Sequence, residues 1–197
     1  MSAGFHRVRC ALAIVGCVEL ALAILILLGL LATIGSQVFS RYVLGVPLIW
    51  VEELASYLLI WLGFSAAAFA HKQQRHVRIA VFAGIRSDRL RLWLVLFGEV
   101  VIIAFALIIL WHVPGPMAIE ARSTSIGLPI DIPRHWFFSV PLSIGMVSMM
   151  ATSLYYLLLG LRRLPDGEPP GPVLGMFGDH EDAETEEIEQ ALKVRAE

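Results

Sequence analysis

Apolar positions along this chain gather into four long runs, 11–36, 48–70, 92–113 and 137–161, with short polar interruptions between them. A hydrocarbon core of roughly 30 Å needs about 20 helical residues, so each run is long enough to cross one. A membrane strand would instead show about ten residues of alternating polarity. Segments such as "ELALAILILLGLLA" and "LVLFGEVVIIAFALIIL" do not alternate. The pattern predicts an all-α membrane protein with four transmembrane helices.

Composition strengthens this reading. Of 197 residues, 57% are apolar and 16% charged, and the mean hydropathy is +0.74, well outside the range of ordinary soluble domains. Arg7 and Arg9 ahead of the first run make it resemble a secretory signal. It continues, however, for about 25 residues, beyond the 7–15 of a signal's apolar region, and is read as an uncleaved span.

Basic residues then set the orientation, because they concentrate in cytoplasmic connections. Arg7, Arg9, Lys72, Arg75, Arg78, Arg86, Arg89, Arg91, Arg162 and Arg163 flank one side of the spans, against Arg41, Arg122 and Arg134 on the other. Both termini are expected in the cytoplasm. Cys10 and Cys17 lie toward that side, where thiols stay reduced, and are expected to pack as small apolar residues.

Two units follow: a four-helix transmembrane domain over 1–163 and a tail over 164–197. The tail holds ten of the seventeen acids, cannot bury a core, and is expected to be disordered in the cytoplasm. Between spans two and three, Val77, Ile79, Val81, Phe82 and Ile85 alternate with basic residues as in a segment lying on the membrane surface. Between spans three and four, Pro114, Pro116, Pro129 and Pro133 predict extended or turning backbone.

Ionisable residues inside spans are the first candidates for function, since each costs about 2.5–3.5 kcal/mol to insert. Glu19 and Glu99 sit roughly 10–12 Å into the inner leaflet at 1.5 Å per helical residue. Neither has an obvious basic partner at its depth. They are therefore protonated, paired with each other, or satisfied by a partner subunit. Glu52 and Glu53 open the second span from the opposite leaflet, where acids interact well with a helix N-terminus. Pro47 stops that helix from starting earlier.

Trp50, Tyr57 and Trp61 fall on one stripe of this span, with Glu53 one turn before Tyr57. Trp50 suits the aromatic belt. Trp61 lies deeper and needs a neighbour for its indole N–H. Gly63 and Ala67, with Ala66 and Ala70 beside them, form the small-xxx-small pattern that lets helices approach closely in lipid.

Enzyme chemistry finds little support. No Glu-x-x-His occurs, and the two sets of acids stand at different depths, against a carboxylate-bridged metal site. The histidines, His6, His71, His76, His112, His135 and His180, lie at span ends or beyond, which does not suit haem ligation. The basic cluster of His71, Lys72, Arg75, His76 and Arg78 is explained by topology. No nucleotide-binding loop, nucleophile elbow or Cys/His metal spacing is present. Nor is there an interrupted span or inverted repeat of the transporter kind. The chain reads as an accessory membrane subunit, without cofactor, metal or nucleic-acid partner.

The stretch "FSRYVLGVPLIWVEELASYLLIWLGFSAAAFA", followed by His76, resembles the signature of the small membrane subunit of tripartite ATP-independent periplasmic (TRAP) transporters, the DctQ-like family. Ile132, Pro133, Trp136 and Pro141 resemble that family's approach to its last span. The resemblance covers roughly residues 10–162 and implies a non-enzymatic, multi-pass subunit of the bacterial inner membrane. Its partners would be a large multi-span permease, a periplasmic solute-binding protein and the surrounding membrane lipid. The complex would take up an organic acid driven by a cation gradient, usually Na⁺. Arg41, Trp50, Glu52, Glu53 and Trp61 would be structural or interface positions, with Arg41 a partner for the acids. Two features depart from the family: Ala80 stands where members often carry an acid, and the acidic tail is additional. The alternative from another class is a membrane anchor for a redox enzyme.

Overall fold

A computed structural model describes residues 3–73, 88–162 and 173–174. The expected surface segment over 77–85 and the tail apart from Val173 and Leu174 lie outside the described residues. Among the described residues five α-helices follow in order: α1 (Ala3–Phe39), α2 (Ile49–Lys72), α3 (Asp88–His112), the short α4 (Pro114–Glu120) and α5 (Ser139–Arg162). Four helical segments among the described residues, Phe5–Leu44, Ile49–Lys72, Leu92–His112 and Arg134–Arg162, are long and apolar enough to cross a membrane.

α1 is 37 residues long, about 55 Å at 1.5 Å per residue, well beyond the thickness of a hydrocarbon core. Its hydroxyls are absorbed within the helix: Thr33 donates to the Gly29 carbonyl at 2.7 Å and Ser36 to that of Thr33 at 2.7 Å. The helix widens into a π turn over Ser40–Leu44 and stops at Gly45, whose φ of 71° is left-handed. A residue without Cβ adopts that conformation freely. Ser40 Oγ donates to the Val46 carbonyl at 2.6 Å, and the Leu48 N–H donates to Gln37 Oε1 at 3.1 Å. The "SRYVLGVP" turn is thus fastened to the helix before it.

α4 corrects the expectation of extended or turning backbone at Pro114 and Pro116, whereas Pro129 and Pro133 lie in non-helical chain. Pro114 is at its first turn, where the missing N–H has no helical partner to lose. The chain then folds back on itself: the Ser125 N–H donates to the Ile132 carbonyl at 3.1 Å and the Arg134 N–H to that of Ser123 at 2.9 Å. One 3₁₀ turn, Arg134–Trp136, leads to α5.

α1 packs on α2, α2 on α5, and α5 on α3, so α2 and α5 occupy the middle. Glycines set two of the close approaches. A Cβ at Gly145 would lie 3.1 Å from Phe64 Cβ, and one at Gly160 would press into Leu96. Large apolar side chains such as Leu25, Leu28, Phe97, Phe105 and Trp111 point outward, while His71, Lys72, Glu99, Thr152 and Ser153 are buried. This inside-out distribution suits lipid surroundings, where polar groups must find partners within the protein. Cys10 and Cys17 are free thiols, but both are exposed on α1 rather than packed inside.

Candidate functional site

Two polar clusters hold the helices together, one at each end. At the far end, where α2 begins, Glu53 faces inward and Glu52 outward, since consecutive helical residues point about 100° apart. Glu53 accepts hydrogen bonds from the Tyr57 hydroxyl, the Ile126 N–H at 3.2 Å and the Gly127 N–H. The acid therefore lashes the 121–133 loop to α2. Arg41 is exposed, and the acceptors of Glu53 are filled by Tyr57 and backbone amides, so among the described residues Arg41 does not pair with Glu53. A Cβ at Gly127 would stand 2.8 Å from Glu53 Oε2, so a larger residue there would require the carboxylate to shift.

The stripe continues one turn at a time. The buried Tyr57 ring stacks on Phe137, with centroids 3.9 Å apart, and meets Phe138 edge-on. Trp61 Nε1 donates to the Trp136 carbonyl at 3.2 Å, so the neighbour it needs is in its own chain. Trp50 is half-buried. Beside this cluster, Ser139 donates to Glu120 Oε2 at 2.6 Å. A cavity of about 460 Å³ opens there, lined by Ile60, Phe64, His112, Val113, Glu120 and Leu142 among others.

The near end gathers all four long helices. Lys72 Nζ donates to Glu19 Oε1 at 2.9 Å, to Glu19 Oε2 at 2.7 Å and to Ser148 Oγ at 2.6 Å, while Ser148 itself donates to Glu19. His71 Nε2 shares a hydrogen bond with Ser153 Oγ at 2.8 Å and lies 3.5 Å from Glu99 Oε2, both side chains being 1% exposed. Tyr156 Oη donates to the Lys72 carbonyl at 2.7 Å. Neither Glu99 oxygen has a hydrogen-bond partner among the described residues.

These contacts correct the expectation for the intramembrane acids. Glu19 is partnered within the chain, and the reason is the length of α2. The apolar run ends at Ala70, yet the helix continues through His71 and Lys72. One further half-turn places the ammonium at the depth of Glu19. The signal available in the sequence was the pair of polar residues directly following the apolar run.

The remaining candidates stay apart from both clusters. Glu52, Ser56, Leu59, Gly63 and Ala66 are exposed at alternating spacings of four and three, a single outward stripe of α2. Gly63 has no atom of another element within 4 Å of where a Cβ would be. Ala67 is half-buried, off that stripe. Ser148, Ser153, Gln37, Gly45 and Gly127 join the structural set only in three dimensions.

The Glu53 junction and the Lys72–Glu19–Ser148 group turn their donors and acceptors on one another inside the chain, which suits fastening rather than turnover. Residues 30–163 match the family model of tripartite ATP-independent periplasmic transporters, DctQ component. The sialic acid TRAP transporter small permease protein SiaQ of Vibrio cholerae is 31% identical over 90 residues, 46% of this chain and 52% of that protein. The sialic acid TRAP transporter permease protein SiaT of Haemophilus influenzae is 28% identical over 114 residues, 58% of this chain and 18% of that protein. The alignment with SiaQ thus spans about half of that relative's length.

Proposed function

We propose a function from one premise: this chain belongs to the DctQ-component family of tripartite ATP-independent periplasmic transporters. It is a transporter component and not an enzyme, which sets aside the redox-anchor alternative. Its role is to be the small membrane subunit that seats and orients a large multi-span permease. The near end faces the cytoplasm of a bacterial inner membrane, with the transmembrane domain over 1–163 and the tail over 164–197. A periplasmic binding protein delivers an organic acid to the assembled pair, and a cation gradient, usually of Na⁺, drives uptake.

The observation that carries this reading is the outward α2 stripe of Glu52, Ser56, Leu59, Gly63 and Ala66, which neither cluster uses. Small residues on a lipid-facing stripe allow another helix to come close. In SiaT the similar stretch is under a fifth of a much longer permease, which supports a large partner here. Arg41, Trp50 and Glu52 belong to the outer rim of that contact; Glu53, Tyr57 and Trp61 hold the rim in shape.

The test is to tag the chain, extract it from native membranes in mild detergent and identify what co-purifies. A stoichiometric, very hydrophobic permease that separates on Gly63→Leu supports the proposal. A chain that purifies alone, or moves organic acids alone in liposomes, overturns it.

A further inference from the structure

We propose that the near end of the molecule is a seat for a short apolar segment, and that Val173 and Leu174 of the chain's own tail occupy it as a strap closing over Lys72. Although they belong to the acidic tail, these two residues are only 4% and 7% exposed. Their expected disorder does not hold for this pair.

The seat binds backbone and side chains alike. The Val173 N–H donates to Tyr156 Oη at 3.1 Å and to the Lys72 carbonyl at 3.3 Å. That carbonyl ends α2, where backbone acceptors lack helical donors. The Val173 side chain joins Tyr155, Tyr156 and Leu159, with Phe5, Leu12 and Ala13 packed alongside. Leu174 rests on Gly16: a Cβ there would collide with Leu174 Cδ1 and lie 3.1 Å from Lys72 Cδ. Beneath the strap Lys72 is 0% exposed. Dry surroundings strengthen its pair with Glu19, because water no longer screens the charges.

Both sides of the Leu174 contact, Gly16 and Leu174, fall outside the family-matched residues 30–163. The strap is therefore a property of this chain in its own right and does not depend on the transporter reading.

The test uses the full chain in native membranes with Cys10→Ser and Cys17→Ser. Ala13→Cys and Val173→Cys are then joined by a short thiol cross-linker and mapped by peptide mass. A 13–173 cross-link that disappears with Leu174→Asp is the expected result, and absence of that cross-link overturns the proposal. In the same membranes Lys72 is labelled with a water-soluble amine reagent and read relative to Lys193. Labelling should rise with Leu174→Asp and with Gly16→Leu, which fills the seat, but not with Gly29→Leu, whose surroundings are open. Unchanged Lys72 labelling once the cross-link is lost overturns the sealing role.

Discussion

Lys72 Nζ lies 2.7 Å from Glu19 Oε2, tying the last residue of α2 to α1 with the two side chains 0% and 12% exposed. An ion pair this enclosed contributes little net stability compared with apolar residues of the same shape. Losing one half is another matter, because the survivor is left buried and charged.

Lys72→Met alone is therefore expected to cost about 3–5 kcal/mol, and Lys72→Met with Glu19→Leu to restore most of it. Thermal unfolding of the detergent-solubilised chain checks this. Equal loss in the single and double variants would mean that the pair does not act as a pair.

Glu99 predicts the opposite sign. Its buried oxygens accept no hydrogen bond among the described residues and meet the His71 ring only at 3.5 Å, so Glu99→Leu removes a weakly compensated polar group. The melting temperature should rise, whereas Glu19→Leu alone should lower it. A fall for both would show that the approach of His71 at 3.5 Å holds Glu99 in place.

Tyr57→Phe keeps the stack on Phe137 and removes one hydrogen bond to the Glu53 carboxylate. A bond to a charged group is worth about 1.5–3 kcal/mol. Gly127→Ala attacks the same junction from the loop side. Both should speed proteolysis within residues 121–133 while leaving the helical content of the spans intact. Unaltered cleavage in both variants would dismiss Glu53 as the loop's anchor.

Gly160→Val and Gly63→Val separate packing inside the chain from packing outside it. The first overfills the α5–α3 contact and should destabilise by about 1–3 kcal/mol. The second has open space and should leave the melting temperature of the isolated chain unchanged, while reducing the amount of partner recovered from membranes. Equal recovery of partner would remove Gly63 from the interface.

The four spans are legible from the apolar runs alone, because lipid demands length and continuity that nothing else imposes on a chain. Span ends are less legible. His71 and Lys72 carry the composition of a connection but the geometry of a helix, since a buried acid awaits them. Glu52 and Glu53 look like a pair in one dimension, yet a helix turns them to different sides, and only Glu53 meets the loop. Within "SRYVLGVP" the turn explains Ser40 and Gly45, whereas Arg41 and Tyr42 stay exposed. Val173 and Leu174 stay hidden because two apolar residues in an acidic stretch carry no periodicity, and their seat is assembled from three distant helices.

The loop over 121–133 is fastened to α2 at Glu53, and α2 ends at Lys72, about 28 Å away along an unbroken helix. One continuous helix therefore joins the loop at one end of the molecule to the Lys72–Glu19 pair at the other, so the two fastenings share a single rigid element.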